Sequence, residues 1–393
     1  MHFSPLLISA AATLFAACTS AAAVPDTLDK RSEGFLELEF DVVTNITDPE
    51  LVGLRRRSGP TTRTLYNQHG YYITYIYIGS NQQKIGVDID TGSSDLWVVD
   101  SRSGCADNSC QYGDYNPSQS TTSRKLNSPF SIVYGDHSTA KGSYYQDTIA
   151  LGTCKSCAKV TNAQFASATT NTAGFGVFGI GFTSNEASYN EYPNFIESLK
   201  SQKLINKRAY SLYLNQENAA TGSIIFGGKD LAKIDGKLVT LPIVSNSRLS
   251  VKLNSVNINS KTITTNSETL IDSGTTFAAF NQQLGDAIFS NYPGAHYNED
   301  IETYLCDCSA NPNLMLTFNF NGISFQQSLA AAWSTNISDD TTNYGCGFYI
   351  GRAEINILGD MFMRNAYTVF DYDANTISLA HVKNTDAKNV VAI

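Results

Sequence analysis

From residue 66 onward, short β-branched and aromatic runs alternate with clusters of Gly, Asn, Asp and Ser. The runs at 71–78, 84–89, 96–99, 130–134 and 142–151 are each bounded by turn residues, the pattern of many short strands. Helical periodicity is confined to brief pieces at 194–202, 284–290 and 328–332. A mainly β fold is predicted. Before residue 66, a core-like pattern is clear only at 35–43.

Two of the apolar runs end alike. Val87-Asp88-Ile89 leads into Asp90-Thr91-Gly92-Ser93-Ser94, and Thr269-Leu270-Ile271 leads into Asp272-Ser273-Gly274-Thr275-Thr276. A Gly two residues beyond each carboxylate suits a sharp turn after a strand, so each acid is expected at a loop tip. Hydroxyl residues at the first and third positions after each Asp, Thr91 with Ser93 and Ser273 with Thr275, supply donors to hold the carboxylate and its backbone. Either motif alone is ordinary turn chemistry; a near-repeat half a chain away is not. Val177-Phe178-Gly179 and Ile357-Leu358-Gly359 follow the two motifs at nearly matched offsets, the trace of a duplicated lobe. A boundary at 227–236 divides the chain into an N-terminal lobe over 58–235 and a C-terminal lobe over 236–393. The cleft between them is the natural ligand site.

The composition suits an extracellular β-rich chain, poor in charge and rich in Ser, Thr, Asn, Gly and Tyr. A net charge of −9 argues against nucleic acid as a partner, because phosphate recognition needs clustered Lys and Arg. An apolar stretch at 5–17, followed by small residues to Ala23, predicts a signal peptide over 1–23. No later stretch is apolar for long enough to span a bilayer, so a secreted, soluble monomer is expected. Lys30-Arg31 and Arg55-Arg56-Arg57 flank an acid-rich segment. They predict a propeptide over 24–57, removed by a dibasic endoprotease to leave a mature chain from Ser58. Asn336-Ile337-Ser338 is an N-glycosylation sequon, as is Asn45-Ile46-Thr47 in the propeptide.

Secreted cysteines usually pair. Cys105 and Cys110 would close a small loop, and Cys154 and Cys157 form a Cys-x-x-Cys that reads here as a local bridge. Cys346 is expected to take either Cys306 or Cys308, with one cysteine of the mature chain left over. There is no second Cys-x-x-Cys and the histidines are scattered, so neither a metal nor another cofactor is expected.

With these motifs in hand, the mature chain resembles the pepsin-like aspartic endopeptidases. The stretches 90–98, 209–228, 270–277 and 357–380 are most similar to the secreted candidapepsin-type proteases of yeasts. The resemblance implies two duplicated β-barrel-like lobes, protein or peptide substrates, and sensitivity to pepstatin-type inhibitors. It implies that Asp90 and Asp272 meet across the lobe interface, share one proton and activate a water at acid pH, as aspartic proteases are the standard case of doing. Thr91, Ser93, Ser273 and Trp97 would support the pair, and Gly92, Gly274, Thr275 and Thr276 would border the bound peptide. Tyr134-Gly135-Asp136 matches the family's flap, with Tyr134 reaching toward Trp97. Asp360 also matches the family and reads as structural. Two features depart from ordinary expectation: the propeptide holds more acid than base, and His137 follows the flap's Asp136. A catalytically silent relative would have lost an Asp, a motif Gly or the flap Tyr, and all are present.

Overall fold

The computed structural model describes residues 34–44, 69–103, 110–155, 157–216, 219–338 and 342–393. The expected signal peptide, the processing residues Lys30, Arg31, Arg56 and Arg57, Cys105 and the Asn45 sequon lie outside them.

Strands β1 (Leu36–Thr44), β2 (His69–Ile78), β3 (Gln83–Asp90), β4 (Leu96–Val99), β5 (Arg124–Val133), β6 (Thr139–Ala150), β7 (Lys159–Asn171), β8 (Gly176–Gly179), β9 (Ala209–Tyr213) and β10 (Thr221–Phe226) belong to one large sheet. Their order is β5-β6-β7-β4-β8-β3-β2-β1-β10-β9. Beyond β9 the sheet continues with Ala366–Asp371, Thr376–Val382 and Ile234–Pro242, so the two halves of the chain share it. The second half builds its own seven-stranded sheet around Ser250–Ile258 and Lys261–Ile271, and a four-stranded sheet containing His296–Asn298 and Thr303–Leu305.

The sequence echo corresponds to matching strand pairings. β3 runs parallel to β8 with Asp90 opposite Gly179, and Lys261–Ile271 runs parallel to Asn356–Leu358 with Ile271 opposite Leu358. In each copy the apolar-apolar-Gly strand then pairs antiparallel with the strand beyond the Asp loop. In the first copy β4 and β8 are buried throughout, which is why they read as continuous apolar runs rather than alternating ones.

The pattern at 35–43 forms β1, a central strand bonded to β10 on one side and β2 on the other. Leu36, Leu38 and Phe40 are buried, and the Phe40 ring packs edge-on to Tyr72 at 5.3 Å. Glu37 and Glu39 on the opposite face reach Lys388 Nζ at 2.8 and 3.0 Å.

The helical expectations hold at Phe195–Ser201, capped by Asn194, and at Gln282–Phe289, capped by Asn281. At 328–332 only the 3-10 turn Ala330–Ala332 forms, because Ser328 is claimed by the preceding strand. β5 starts six residues earlier than its apolar run, at Arg124, because pairing with β6 holds exposed residues extended. Cys154 is bonded to Cys157 and Cys308 to Cys346, each pair with Cα atoms 5.1 Å apart. Cys110 is also disulfide-bonded, and Cys306 is buried with a free thiol.

Candidate active site

Asp90 closes β3, and its carbonyl accepts from the Ile180 N–H at 2.9 Å. Asp272 follows the strand Lys261–Ile271 and donates its N–H to Leu358 O at 3.1 Å. Both carboxyls are thus presented at strand ends, and both are buried. Asp90 Oδ1 accepts the N–H groups of Gly92 (2.7 Å) and Ser93 (3.3 Å), and its Oδ2 accepts the Ser93 hydroxyl. Asp272 is held in the same manner, by the Gly274 N–H at 2.9 Å and the Thr275 hydroxyl at 2.6 Å. The hydroxyls at the third position therefore orient the carboxylates.

Those at the first position do something different. Thr91 Oγ1 donates to Ile271 O at 2.7 Å and accepts from the Ser273 N–H at 2.9 Å. Ser273 Oγ donates to Ile89 O at 2.7 Å and accepts from the Thr91 N–H at 3.1 Å. The two loops are laced to each other by a reciprocal set of buried bonds, so each loop completes the other.

Gly92 and Gly274 are needed for a reason the sequence did not suggest. Neither has a positive φ. A Cβ on Gly92 would lie 2.5 Å from Asp272 Oδ1, and one on Gly274 would lie 2.5 Å from Asp90 Oδ1. Close approach of the opposite carboxylate, not turn sharpness, demands glycine here. The closeness has an electrostatic counterpart: burial and then the Asp272 charge push the Asp90 carboxyl well above its ordinary range, against the pull of Ser93 and Gly92.

The hairpin β5–β6 carries Tyr134-Gly135-Asp136 at its turn, and Trp97 Nε1 donates to Tyr134 Oη at 2.6 Å. Gly135 and Asp136 are exposed at the tip, whereas Tyr134 is half-buried. Burial and the nearby Asp90 charge keep the Tyr134 phenol neutral at any working pH. Thr276 is buried, with its carbonyl accepting the Met361 N–H at 3.1 Å.

The family description "Eukaryotic aspartyl protease" matches residues 71–382. Among characterised proteins, the chain is 40% identical over 391 residues to candidapepsin of Candida tropicalis, covering 97% of each chain. It is 40% identical to secreted aspartic protease 3 of Candida albicans, covering 94% of this chain and 96% of that one. It is 39% identical to secreted aspartic protease 8 of the same species, covering 96% and 95%. The chain belongs to the eukaryotic aspartyl protease family. It is an aspartic-type endopeptidase with the bilobal, mainly β fold of pepsin-like enzymes.

This aspartyl protease surrounds its paired loops with further buried acids, of which sequence reasoning singled out Asp360 but passed over Asp88 and Asp95. Asp88, two residues before Asp90, is buried and accepts the Tyr72 N–H at 2.8 Å. Burial, reinforced by the Asp272 charge, pushes its carboxyl up to about 7. Asp360 heads the one-turn helix Asp360–Met363 and is buried, with no hydrogen-bond partner for Oδ1 among the described residues. Burial raises it well above the ordinary range, partly countered by Arg364, whose Nε donates to Tyr72 Oη at 3.0 Å. Asp95, fully buried, accepts from Tyr144 Oη (2.7 Å), Tyr192 Oη (2.8 Å) and the Ala187 N–H (2.6 Å), and thereby ties the Asp90 loop to the segment beyond β8. One signal was available: an acid inside the apolar run Val87-Asp88-Ile89 had no surface role to explain it.

Proposed function

We propose that this aspartic endopeptidase is secreted, works at acidic pH on protein substrates, and uses Asp90 and Asp272 as a proton-sharing dyad around an attacking water. The observation that carries the reading is the reciprocal lacing of the two Asp loops, which sets two buried carboxyls against each other with Asp90 driven toward its protonated form. Two like charges so close cannot both ionise cheaply, so the pair holds one proton over the acid range. The ionised member takes a proton from water as its oxygen attacks the peptide carbonyl. The protonated member donates to the carbonyl oxygen, and collapse of the tetrahedral intermediate sends a proton to the leaving nitrogen. The titration belongs to the pair, so neither Asp owns the base role. Tyr134, held by Trp97, would bring the flap over the peptide and exclude bulk water.

Cleavage of a denatured protein at about pH 4 tests this, with and without pepstatin. Asp90→Asn and Asp272→Asn are each expected to lower kcat by on the order of 10²–10⁴-fold. Activity retained in either variant, or cleavage indifferent to pepstatin, would sink the dyad.

The same reading includes a zymogen whose 24–57 segment is cut after Arg57 by a dibasic endoprotease, and a monomeric mature enzyme glycosylated at Asn336. Its support is the basic clusters, the exposed position of Asn336 on strand Trp333–Ser338, and the secreted aspartic proteases among its relatives. Export of a chain beginning at Ser58, and its loss when Arg56 and Arg57 are replaced by Ala, is the expected result.

A further inference from the structure

The mechanism leaves the flap's tip residue without a task. His137 occupies the turn between β5 and β6 with φ +64°, in the left-handed region. The turn is organised by its own bonds: Tyr134 N–H to Ser138 O (2.9 Å), His137 N–H to Tyr134 O (3.0 Å) and Ser138 N–H to Asp136 Oδ1 (2.9 Å). The imidazole takes no part in them and projects from the tip, 63% exposed. Its Nε2 lies 3.3 Å from Glu302 Oε2, in the other half of the molecule.

Glu302 is equally well placed. It ends the turn between His296–Asn298 and Thr303–Leu305, again with a positive φ of +51°. Asn298 Oδ1 accepts the N–H groups of Asp300 (2.9 Å) and Ile301 (3.3 Å), which fixes the turn's shape. Thr303, the next residue, is anchored by its hydroxyl to Phe348 O. A shaped tip on one lobe thus meets a shaped turn on the other.

We propose that His137 is a flap-positioning residue: its ring and the Glu302 carboxylate form a latch that holds the flap over bound peptide. This rests on the flap reading of Tyr134-Gly135-Asp136. Asp136 is the charged chain neighbour of His137 on the flap, and Glu299 and Asp300 share the turn with Glu302. Glu299 is already engaged by Arg352 Nη1 at 3.1 Å, and Arg352 also bonds to Asp286. Acids thus flank the contact in the sequence of both the flap and the turn, and Arg352 is the cation bonded to that turn.

An exposed pair is weak, so the expected effect on substrate affinity is about two- to five-fold. The test is a double-mutant cycle of His137→Gln and Glu302→Gln, read as KM and kcat for a fluorogenic peptide at about pH 5.5. Each single variant should raise KM by that factor with kcat little changed, and the double variant should be no worse than either. Additive effects of the two substitutions overturn the latch. Tyr134→Ala, assayed alongside, separates the two layers. If it leaves kcat/KM unchanged, the flap reading itself fails; if it lowers kcat/KM while the cycle is additive, the latch alone fails.

Discussion

At the scale of single residues, Asp88 shows how a buried acid couples this fold to pH. Its folded value of about 7 lies above the ordinary 3.8, so the folded chain keeps a proton that the unfolded chain releases. Stability from this group is therefore fully present below about pH 4 and is lost as pH rises toward 7, by at most roughly 4 kcal/mol. Asp90 and Asp360 are displaced in the same direction and add to the acid preference. Asp88→Asn is expected to narrow the gap in unfolding free energy between about pH 4 and pH 7, measured by urea titration. A gap as wide as in the parent chain would show that Asp88 is not what sets it. The acid inside an apolar run was visible in the sequence. Its burial beside Tyr72 and its sensitivity to Asp272 were not, because they depend on a sheet and a second lobe.

Among the elements, β1 bears most directly on maturation. It falls within the expected propeptide yet sits between β10 and β2, with Phe40 almost wholly buried against Tyr72. Phe40→Ala should destabilise the uncleaved chain by about 3–5 kcal/mol, measured by chemical unfolding with Arg55, Arg56 and Arg57 replaced by Ala to block processing. In the mature enzyme purified after cleavage, the same substitution is absent and the unfolding midpoint should match the parent's. Loss of β1 would also uncover the hydrogen-bonding edges of β2 and β10, an unstable arrangement unless another segment takes the slot. Alternating apolar residues at 35–43 marked this stretch as core-forming. Nothing in that alternation says which strands flank it, since pairing partners lie as far away as Phe226.

On the scale of the whole molecule, the two halves depend on each other. Ala366–Asp371 pairs with β9, so the large sheet needs strands from the far end of the chain, and the Asp loops exchange their hydroxyl bonds across the same divide. Residues 58–235 and 236–393 produced as separate chains should each fail to cleave protein at about pH 4, and the first should aggregate for want of its completing strands. Activity from either piece alone would overturn that dependence. By itself the sequence determined the mainly β class, both Asp motifs after apolar strands, the hairpin that carries Tyr134-Gly135-Asp136 and the family likeness. Each of these is written in local polarity, turn chemistry and short motifs that neighbouring residues set together. Only the tertiary structure decided that Thr91 and Ser273 lace the loops while Ser93 and Thr275 orient the carboxylates. It also decided that Gly92 and Gly274 make room for the opposite acid, that Cys308 rather than Cys306 takes Cys346, and that His137 meets Glu302. Those outcomes turn on distances between residues far apart along the chain, and such distances exist only once the sheets have packed.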